Sequence, residues 1–313
     1  MMTMEKSSQA SAPLVSIIVT IVDGKEVLER FLHAVTAQED PPALEIIVPY
    51  DESVNDTKGF SATFPEVNFL PLGVIKPENS IHTAAGQHEL YDRRRAAGLA
   101  AATGDIITIL EDRGIPRSDW AKTLVRLHEQ PYGVIGGAIE CEEPCSLLNW
   151  SFYVCDFSRY GLPFESGPVS WVSDVNVSYK RPMLEQTRSL WKDRFSEPVV
   201  HWSLLEAGET LYLSSDLVVE HCRPKTSLAV LLPERFDWGR LFGHIRAMHL
   251  PARQRYTYIL ISPLIPPMLL LRHALTQYRK GRLGRYIKAI PLTFILLLFW
   301  TAGEAWGNLT KKA

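Results

Sequence analysis

One short run, Asp105-Ile106-Ile107-Thr108-Ile109-Leu110, constrains the fold of this chain more than any other stretch. It is continuous, mostly apolar and β-branched, and is bounded by Gly104 on one side and by Glu111-Asp112-Arg113 on the other. Such a run reads as a strand buried on both faces of a parallel sheet. Its apolar character stops abruptly at the acidic pair, and Gly114 and Pro116 then turn the chain. In open α/β sheets, ligands bind beyond the carboxyl ends of the strands. Two adjacent carboxylates there can hold a divalent cation, since hard cations prefer oxygen ligands, or a ribose hydroxyl. A solvated acidic turn has the same composition, so the rest of the chain decides between them.

The same pattern occurs twice earlier. Leu14–Val22 is an apolar strand signal that ends at Asp23-Gly24, and a helix follows from about Lys25 to Ala37 with Val27, Leu28, Phe31, Leu32 and Val35 on one face. Leu44–Val48 is a second strand that ends at Pro49-Tyr50-Asp51-Glu52-Ser53, and Val67–Leu70 is a third. Strand, helix and strand at this spacing form a βαβ unit, and its right-handed crossover makes the sheet parallel. A helix over 87–102 with the basic start Arg93-Arg94-Arg95 leads into the Asp105 strand, and another covers 118–129. Of the three arginines, Arg95 is expected at the site and the others on a solvated face. Gly133–Glu140 is a glycine-rich strand without the strand–GxGxxG–helix context of a dinucleotide fold, which excludes a Rossmann dehydrogenase. Leu147–Val169 is rich in aromatic residues that suit either packing or a ring-stacking acceptor surface. Trp171–Arg181 alternates like a half-buried strand, a helix opens at Phe195-Ser196-Glu197-Pro198 and is capped by Gly208, and short strands at 210–213 and 217–221 close the body.

The net charge of −2 gives no overall affinity for nucleic acid, yet it hides a split. From Arg223 onward there are 15 Lys or Arg against 3 Asp or Glu, which leaves 18 basic and 32 acidic residues in 1–222. An acidic body with a basic, apolar tail suits an anionic membrane surface. The cysteines Cys141, Cys145, Cys155 and Cys222 form no CxxC pair and read as thiols of a reducing cytosol. The first residues lack the apolar core of a secretory signal and are expected to be a disordered lead-in over 1–12.

Taken together, residues 13–222 resemble a family 2 glycosyltransferase of the GT-A fold. Val15–Val19 resembles its opening strand, and Glu45–Ser53 the strand and acidic turn that recognise the nucleotide base. Arg95–Asp105 is similar to its arginine-led helix, with Ala96 in place of the usual Asn. Ile109–Arg113 stands where the DxD motif belongs, Asn176–Arg181 resembles the acceptor-side strand, and Glu197-Pro198 with His201-Trp202 resembles the acidic helix start that carries the base. The implied fold is a three-layer α/β sandwich on a mostly parallel sheet, followed by an apolar helical tail over 223–313. The implied substrates are a nucleotide-sugar donor and a lipid-linked or glycan acceptor, with a divalent metal, Mg or Mn, as cofactor.

Two departures from the family pattern bear on mechanism. The DxD positions read Glu111-Asp112-Arg113, and an arginine has only donors, so Arg113 pairs with the diphosphate instead of ligating a metal. The second acid of the base motif is replaced by Pro198, which is tolerated in the first turn of a helix. The roles that follow from the resemblance are Glu197 as general base, Asp51, Glu111, Asp112, Arg113 and Arg95 as donor-binding residues, and Asp112, Glu111 and His221 as metal contacts. A glycosyltransferase-like scaffold without catalysis in a polysaccharide-assembly complex is the alternative. A nucleotidyltransferase would need more phosphate loop than Asp23-Gly24-Lys25 provides.

In the tail, Arg235–Arg246 reads as an interfacial helix with aromatic residues at headgroup depth. The uncharged runs 256–271 and 289–303 each fall short of the roughly 20 residues of a straight spanning helix. Arg279, Lys280, Arg282, Arg285 and Lys288 lie between and beside them, and the positive-inside tendency favours a re-entrant or monotopic hairpin. Body and basic loop would then both be cytoplasmic, on a membrane-associated protein.

Overall fold

The computed structural model describes residues 15–54 and 57–311, so the expected N-terminal lead-in falls outside the described residues. Nine strands form one sheet: β1 Val15–Thr20, β2 Leu44–Tyr50, β3 Val67–Pro71, β4 Ile106–Glu111, β5 Gly114–Pro116, β6 Val134–Cys141, β7 Gly167–Val169, β8 Asn176–Lys180 and β9 Leu211–His221. The helices of the body are α1 Lys25–Thr36, α2 Thr57–Thr63, α3 Ala84–Ala101, α4 Trp120–His128, α5 Leu147–Phe157, α6 Arg181–Gln186, α7 Arg188–Trp191 and α8 Glu197–Glu206. The tail contributes α9 Leu228–His249, α10 Ala252–Ile261, α11 Ile265–Arg279 and α12 Leu283–Thr310.

Strand order is β3-β2-β1-β4-β8-β6-β9-β5, with β7 paired to β9. The first four strands are parallel, as the crossover rule requires. The chain winds outward from β1 to β3 and returns to place β4 on the other side of β1, which makes the β1/β4 seam the topological switch point. Thr20 pairs with Glu111 across that seam, so both strands end at one place. The core runs through the buried strands and the inner faces of α1, α3 and α4.

Sequence periodicity misjudged several elements. The alternation from Trp171 becomes strand only at Asn176, and β8 runs antiparallel between β4 and β6. The two closing strands are one, β9, paired along β6 with a register shift between Gly137 and Ala138. The glycines of β6 answer to packing: a Cβ on Gly136 would lie 2.5 Å from Val172, and one on Gly137 would lie 2.1 Å from the Asn176 amide. Gly114–Pro116, expected as a turn, is a short strand against the end of β9.

The tail differs most from expectation. The uncharged runs lie inside two helical stretches of 28 residues, Ala252–Arg279 and Leu283–Thr310, each long and apolar enough to cross a membrane. The helices thus run past the uncharged runs into charged flanks such as Arg253, Arg272 and Glu304. The basic turn between them docks on the body: Arg282 pairs with Glu140 at 2.9 Å, Arg285 with Glu143, and Lys280 donates to the Gly161 carbonyl. One face of α12 packs along α5 and α9 through Tyr286, Ala289, Leu296 and Leu297. Leu260, Leu264 and Leu271, on the far side of the hairpin, stand 63–81% exposed. Glycines let α9 and α12 touch backbone to backbone. A Cβ on Gly239 or Gly243 would meet a carbonyl of α12 at 2.2 Å, and one on Gly303 or Gly307 a carbonyl of α9 at 2.0 Å. These are reciprocal small-xxx-small pairs, the motif by which helices approach most closely.

Candidate active site

A cleft of about 660 Å³ opens beyond the carboxyl ends of β1 and β4, within the size range of ligand sites. Asp23, Glu111, Arg113, Asp174, Glu197 and His221 line its strand-end side, with Gln87, Tyr91, Asp92 and Arg95 from α3. Helix α3 can carry these charges because its other face is made of small residues. A Cβ on Gly98 would lie 2.5 Å from Ile18, so the helix sits close on β1.

Arg95 is the hub of the site. Its Nη1 lies 2.7 Å from Asp174 and 4.0 Å from Asp92, its Nη2 lies 3.3 Å from Glu111, and its Nε donates to Thr20 at 2.9 Å. Side-chain exposure is only 4%, so several carboxylates share one buried cation. Burial and then the Asp174 carboxylate push Glu111 up to about 7. Glu197 is raised well above the carboxylate range by the same two causes, burial first and Asp174 second.

Glu197 opens α8 with Pro198 in the first turn, as the sequence suggested. Its Oε2 accepts the backbone N–H of Asp174 at 3.1 Å. Its Oε1 has no hydrogen-bond partner and faces His201 Nδ1, likewise unpartnered, at 3.5 Å one helical turn on. His201 Nε2 lies 2.8 Å from the Tyr179 hydroxyl, and burial holds this imidazole down at about 4, so it is neutral. The Tyr179–His201 pair thus lies behind the carboxyl on the interior side without bonding to it. Asp174, paired with Arg95 and bonded to Glu197 through its backbone N–H, is a second acid beside it.

The acidic turn divides its work. Asp112 is fully buried, and its two oxygens accept the backbone N–H groups of Val22, Asp23 and Gly24 at 2.7–3.1 Å. It shapes the β1–α1 turn, where Gly24 adopts φ 67° and ψ −156°, a region open essentially to glycine alone. The expected use of Asp112 in metal and donor binding does not fit a side chain so enclosed. Glu111 faces the cleft, and Arg113 lies over it with two bonds of 2.6 Å to Asp23. His221 reaches the same turn because β9 pairs His221 with Gly114. Its ring lies 4.6 Å from Phe157, and burial, with Arg113 and Arg223 beside it, holds it down at about 3.

Asp51 does not join Glu111 and Glu197 in the main cleft. It is buried behind an adjoining hollow of about 290 Å³ that shares Val22, Asp23, Gln87 and Tyr91 with that cleft. Asp51 holds Arg94 at 2.9 Å and Ser53 at 2.7 Å, and those two side chains line the hollow. Arg94 is 3% exposed and not on a solvated face. Nothing in the helical periodicity singled out Arg94, Asp92 or Asp174.

The carboxylates of the cleft are largely engaged by protein cations. Glu111 is shared with Arg95, Asp23 with Arg113, and Asp112 is enclosed. Among the described residues, the one group of three close ligand atoms is Cys141, Glu143 and Cys145, outside the cleft. The cleft side chains thus offer Glu111 as the carboxylate facing the ligand space, and a hard cation here would take its remaining oxygens from donor phosphates and water.

Residues 16–186 match the family model described as glycosyl transferase family 2. The chain is 23% identical over 239 residues to glycosyltransferase AglE of Haloferax volcanii, a match covering 74% of this chain and 73% of that protein. The mannosyltransferase PcManGT from Pyrobaculum calidifontis, solved in complex with GDP-Man and Mn2+, has a similar fold. Identity is 16%, the TM-score 0.56, and coverage 97% of this chain and 89% of that one. S. aureus TarS 1–349 in complex with UDP-GlcNAc is similar at 11% identity and a TM-score of 0.51, covering 93% and 90%. At these identities the likeness to the solved structures is one of fold.

Proposed function

The chain belongs to glycosyl transferase family 2, and from that premise we propose how its cleft works. It is a glycosyltransferase that draws on a nucleotide-sugar donor. In our reading the nucleoside lies in the hollow of Ser53, Val54 and Arg94, which Asp51 holds in place. The diphosphate crosses Asp23 to meet Arg113, and the sugar enters the main cleft beside Glu111, Asp174 and Glu197. The observation that carries this reading is the gathering of Asp92, Glu111 and Asp174 around Arg95, with Glu197 bonded to the Asp174 backbone, beyond the β1/β4 switch point.

Glu197 in its ionised form takes the proton of the acceptor hydroxyl. The acceptor oxygen attacks the anomeric carbon, and the bond from that carbon to the phosphate oxygen breaks with its electron pair leaving on the nucleoside diphosphate. A single displacement inverts the anomeric centre. Arg113, always charged, balances the departing diphosphate by paired hydrogen bonds. No step is routed through a metal; Arg113, steadied by Asp23, supplies a fixed charge, and a divalent cation bound with the donor would share that role through Glu111. The Mn2+ in the P. calidifontis enzyme makes this a point of difference to test. The acceptor is lipid-linked or a glycan. The hairpin's outer face lies in the membrane, with body and basic turn on its cytoplasmic side.

Incubation with UDP-, GDP- and TDP-sugars, with and without EDTA, and anomeric analysis of the product by NMR tests the proposal. Release of nucleoside diphosphate from one donor, an inverted product and activity that survives EDTA are expected. A retained anomeric configuration refutes the role of Glu197. Complete loss in EDTA refutes charge balance by Arg113 without a metal.

A further inference from the structure

The cleft's second wall is not made of the sheet. Past His221 the chain leaves β9 through Arg223-Pro224-Lys225-Thr226 and enters α9 at Leu228; all four residues line the cleft, with Val230, Glu234, Arg235 and Trp238 of α9, Phe152 and Asp156 of α5, and Trp300 of α12. Two arginines in this wall share the ring of Phe152. The Arg223 guanidinium lies 4.2 Å from its centre and that of Arg235 lies 5.3 Å away, with Trp300 4.4 Å from Arg235. Their side chains are 8% and 4% exposed.

Each is only half satisfied. Arg223 gives Nη2 to Glu234 at 2.6 Å, but its Nη1 is buried without a partner. Arg235 gives Nη1 to both oxygens of Asp156 at 2.8 Å, but its Nε is buried without one. Lys225 forms no ion pair with a described residue. Helix α9 starts beside it with no side-chain bond from Ser227 and no acid in its first turn. Buried polar groups are almost always paired, and an uncapped helix start favours anions. Four sources of positive potential thus converge on one wall. The surface beyond that wall is apolar and open: Val230 is 60% exposed, and Phe242, whose ring lies 6.0 Å from that of Trp300, is 41% exposed.

We propose that Arg223, Lys225, Arg235 and the first turn of α9 bind the phosphate of a lipid acceptor, whose hydrocarbon runs out over α9 and α12. This rests on the glycosyltransferase reading and names the acceptor class: a membrane lipid with a phosphate or diphosphate head. The donor diphosphate offers the same chemistry, but it has no hydrocarbon to cover Val230 and Phe242. Phe152 and Trp300 also suit a ligand that is anionic at one end and apolar at the other.

The test uses the full chain in maltoside micelles, with dodecyl phosphate as probe, inorganic phosphate as control and UDP, GDP or TDP as donor ligand, followed by calorimetry. Dodecyl phosphate should bind with the nucleotide already bound. It should weaken at least tenfold in Arg235→Gln and in Lys225→Glu, while nucleotide affinity stays within about twofold. Lys225 is exposed, so its variant reports even if the buried one misfolds. Mutual exclusion of dodecyl phosphate and nucleotide would assign this wall to the donor and overturn the proposal. So would equal binding of inorganic phosphate, or no binding of dodecyl phosphate. Failure of every nucleotide to bind would instead count against the glycosyltransferase reading and leave the lipid-phosphate measurement standing by itself.

Discussion

Arg95 and Arg235 are both buried arginines on the walls of one cleft, yet their surroundings have little in common. Arg95 is ringed by carboxylates from α3, β4 and the loop before β8, whereas Arg235 lies between two aromatic rings with a single carboxylate. At the strand end, several acids share one cation, and burial raises Glu111 and Glu197 there above the usual carboxylate range. At the tail, cations outnumber their partners and face apolar surface. In the proposed reading the two walls serve different halves of one ligand set, a polar donor with its reacting centre and an acceptor that is partly hydrocarbon.

The strongest way to break this comparison acts on the acid that Arg95 helps to poise. Glu197→Gln keeps shape and hydrogen bonding and should lower kcat by about 10²–10⁴, the usual range for a general base, with donor affinity unchanged. A kcat within threefold of the parent would remove Glu197 from the chemistry. Next in size is the pair of arginine replacements. Arg95→Met strands buried carboxylates and should cost about 3–5 kcal/mol in denaturant unfolding. Arg235→Met strands one carboxylate, 27% exposed, and should cost at most about half of that. Equal losses would erase the contrast between the walls.

Asp174→Asn sharpens the strand-end side. Asp174 raises Glu197, so removing its charge should lower the Glu197 pKa and move the acid limb of the kcat profile to lower pH. An unchanged limb would separate the two acids. The tail has its own probe in Gly303→Leu, whose side chain would enter the α9 backbone. A cost of about 1–3 kcal/mol is expected, with protease sensitivity localised to the tail.

The smallest effect is the pH dependence of the ligand-free protein. Glu111 rises from 4.5 to about 7 on folding, so between those values the folded state holds a proton that the unfolded chain has released. That contribution to stability is complete below the unfolded value and is lost as pH rises through about 7. Tm should therefore fall by roughly 2–4 °C from pH 5 to 8, and Glu111→Gln should flatten the slope.

The parallel half of the sheet and its acidic turn were legible in the sequence, because β1, β2 and β4 are short apolar runs that end in charge. The antiparallel insertion of β8 was not, since alternation marks a strand without giving its neighbours. The site was legible where chemistry coincides with a strand end, as at Glu111, and not where a charge is buried by a tertiary partner. Arg94 looked like one residue of a basic helix face until Asp51, 43 positions away, lay beside it. Asp174 sits in the loop before β8 and meets Arg95 only after the sheet has closed. The glycine pairs of α9 and α12 are some 60 residues apart, and each alone is an ordinary glycine spacing.

The central claim is that the cleft beyond β1 and β4 holds a nucleoside diphosphate against Arg113. Calorimetric titration of the full chain and of Arg113→Ala with UDP, GDP and TDP measures it directly. At least one nucleotide should bind the parent protein and lose tenfold or more in affinity in the variant, while Glu197→Gln binds as the parent does. Equal affinity in Arg113→Ala, or no nucleotide bound by the parent, would contradict the account.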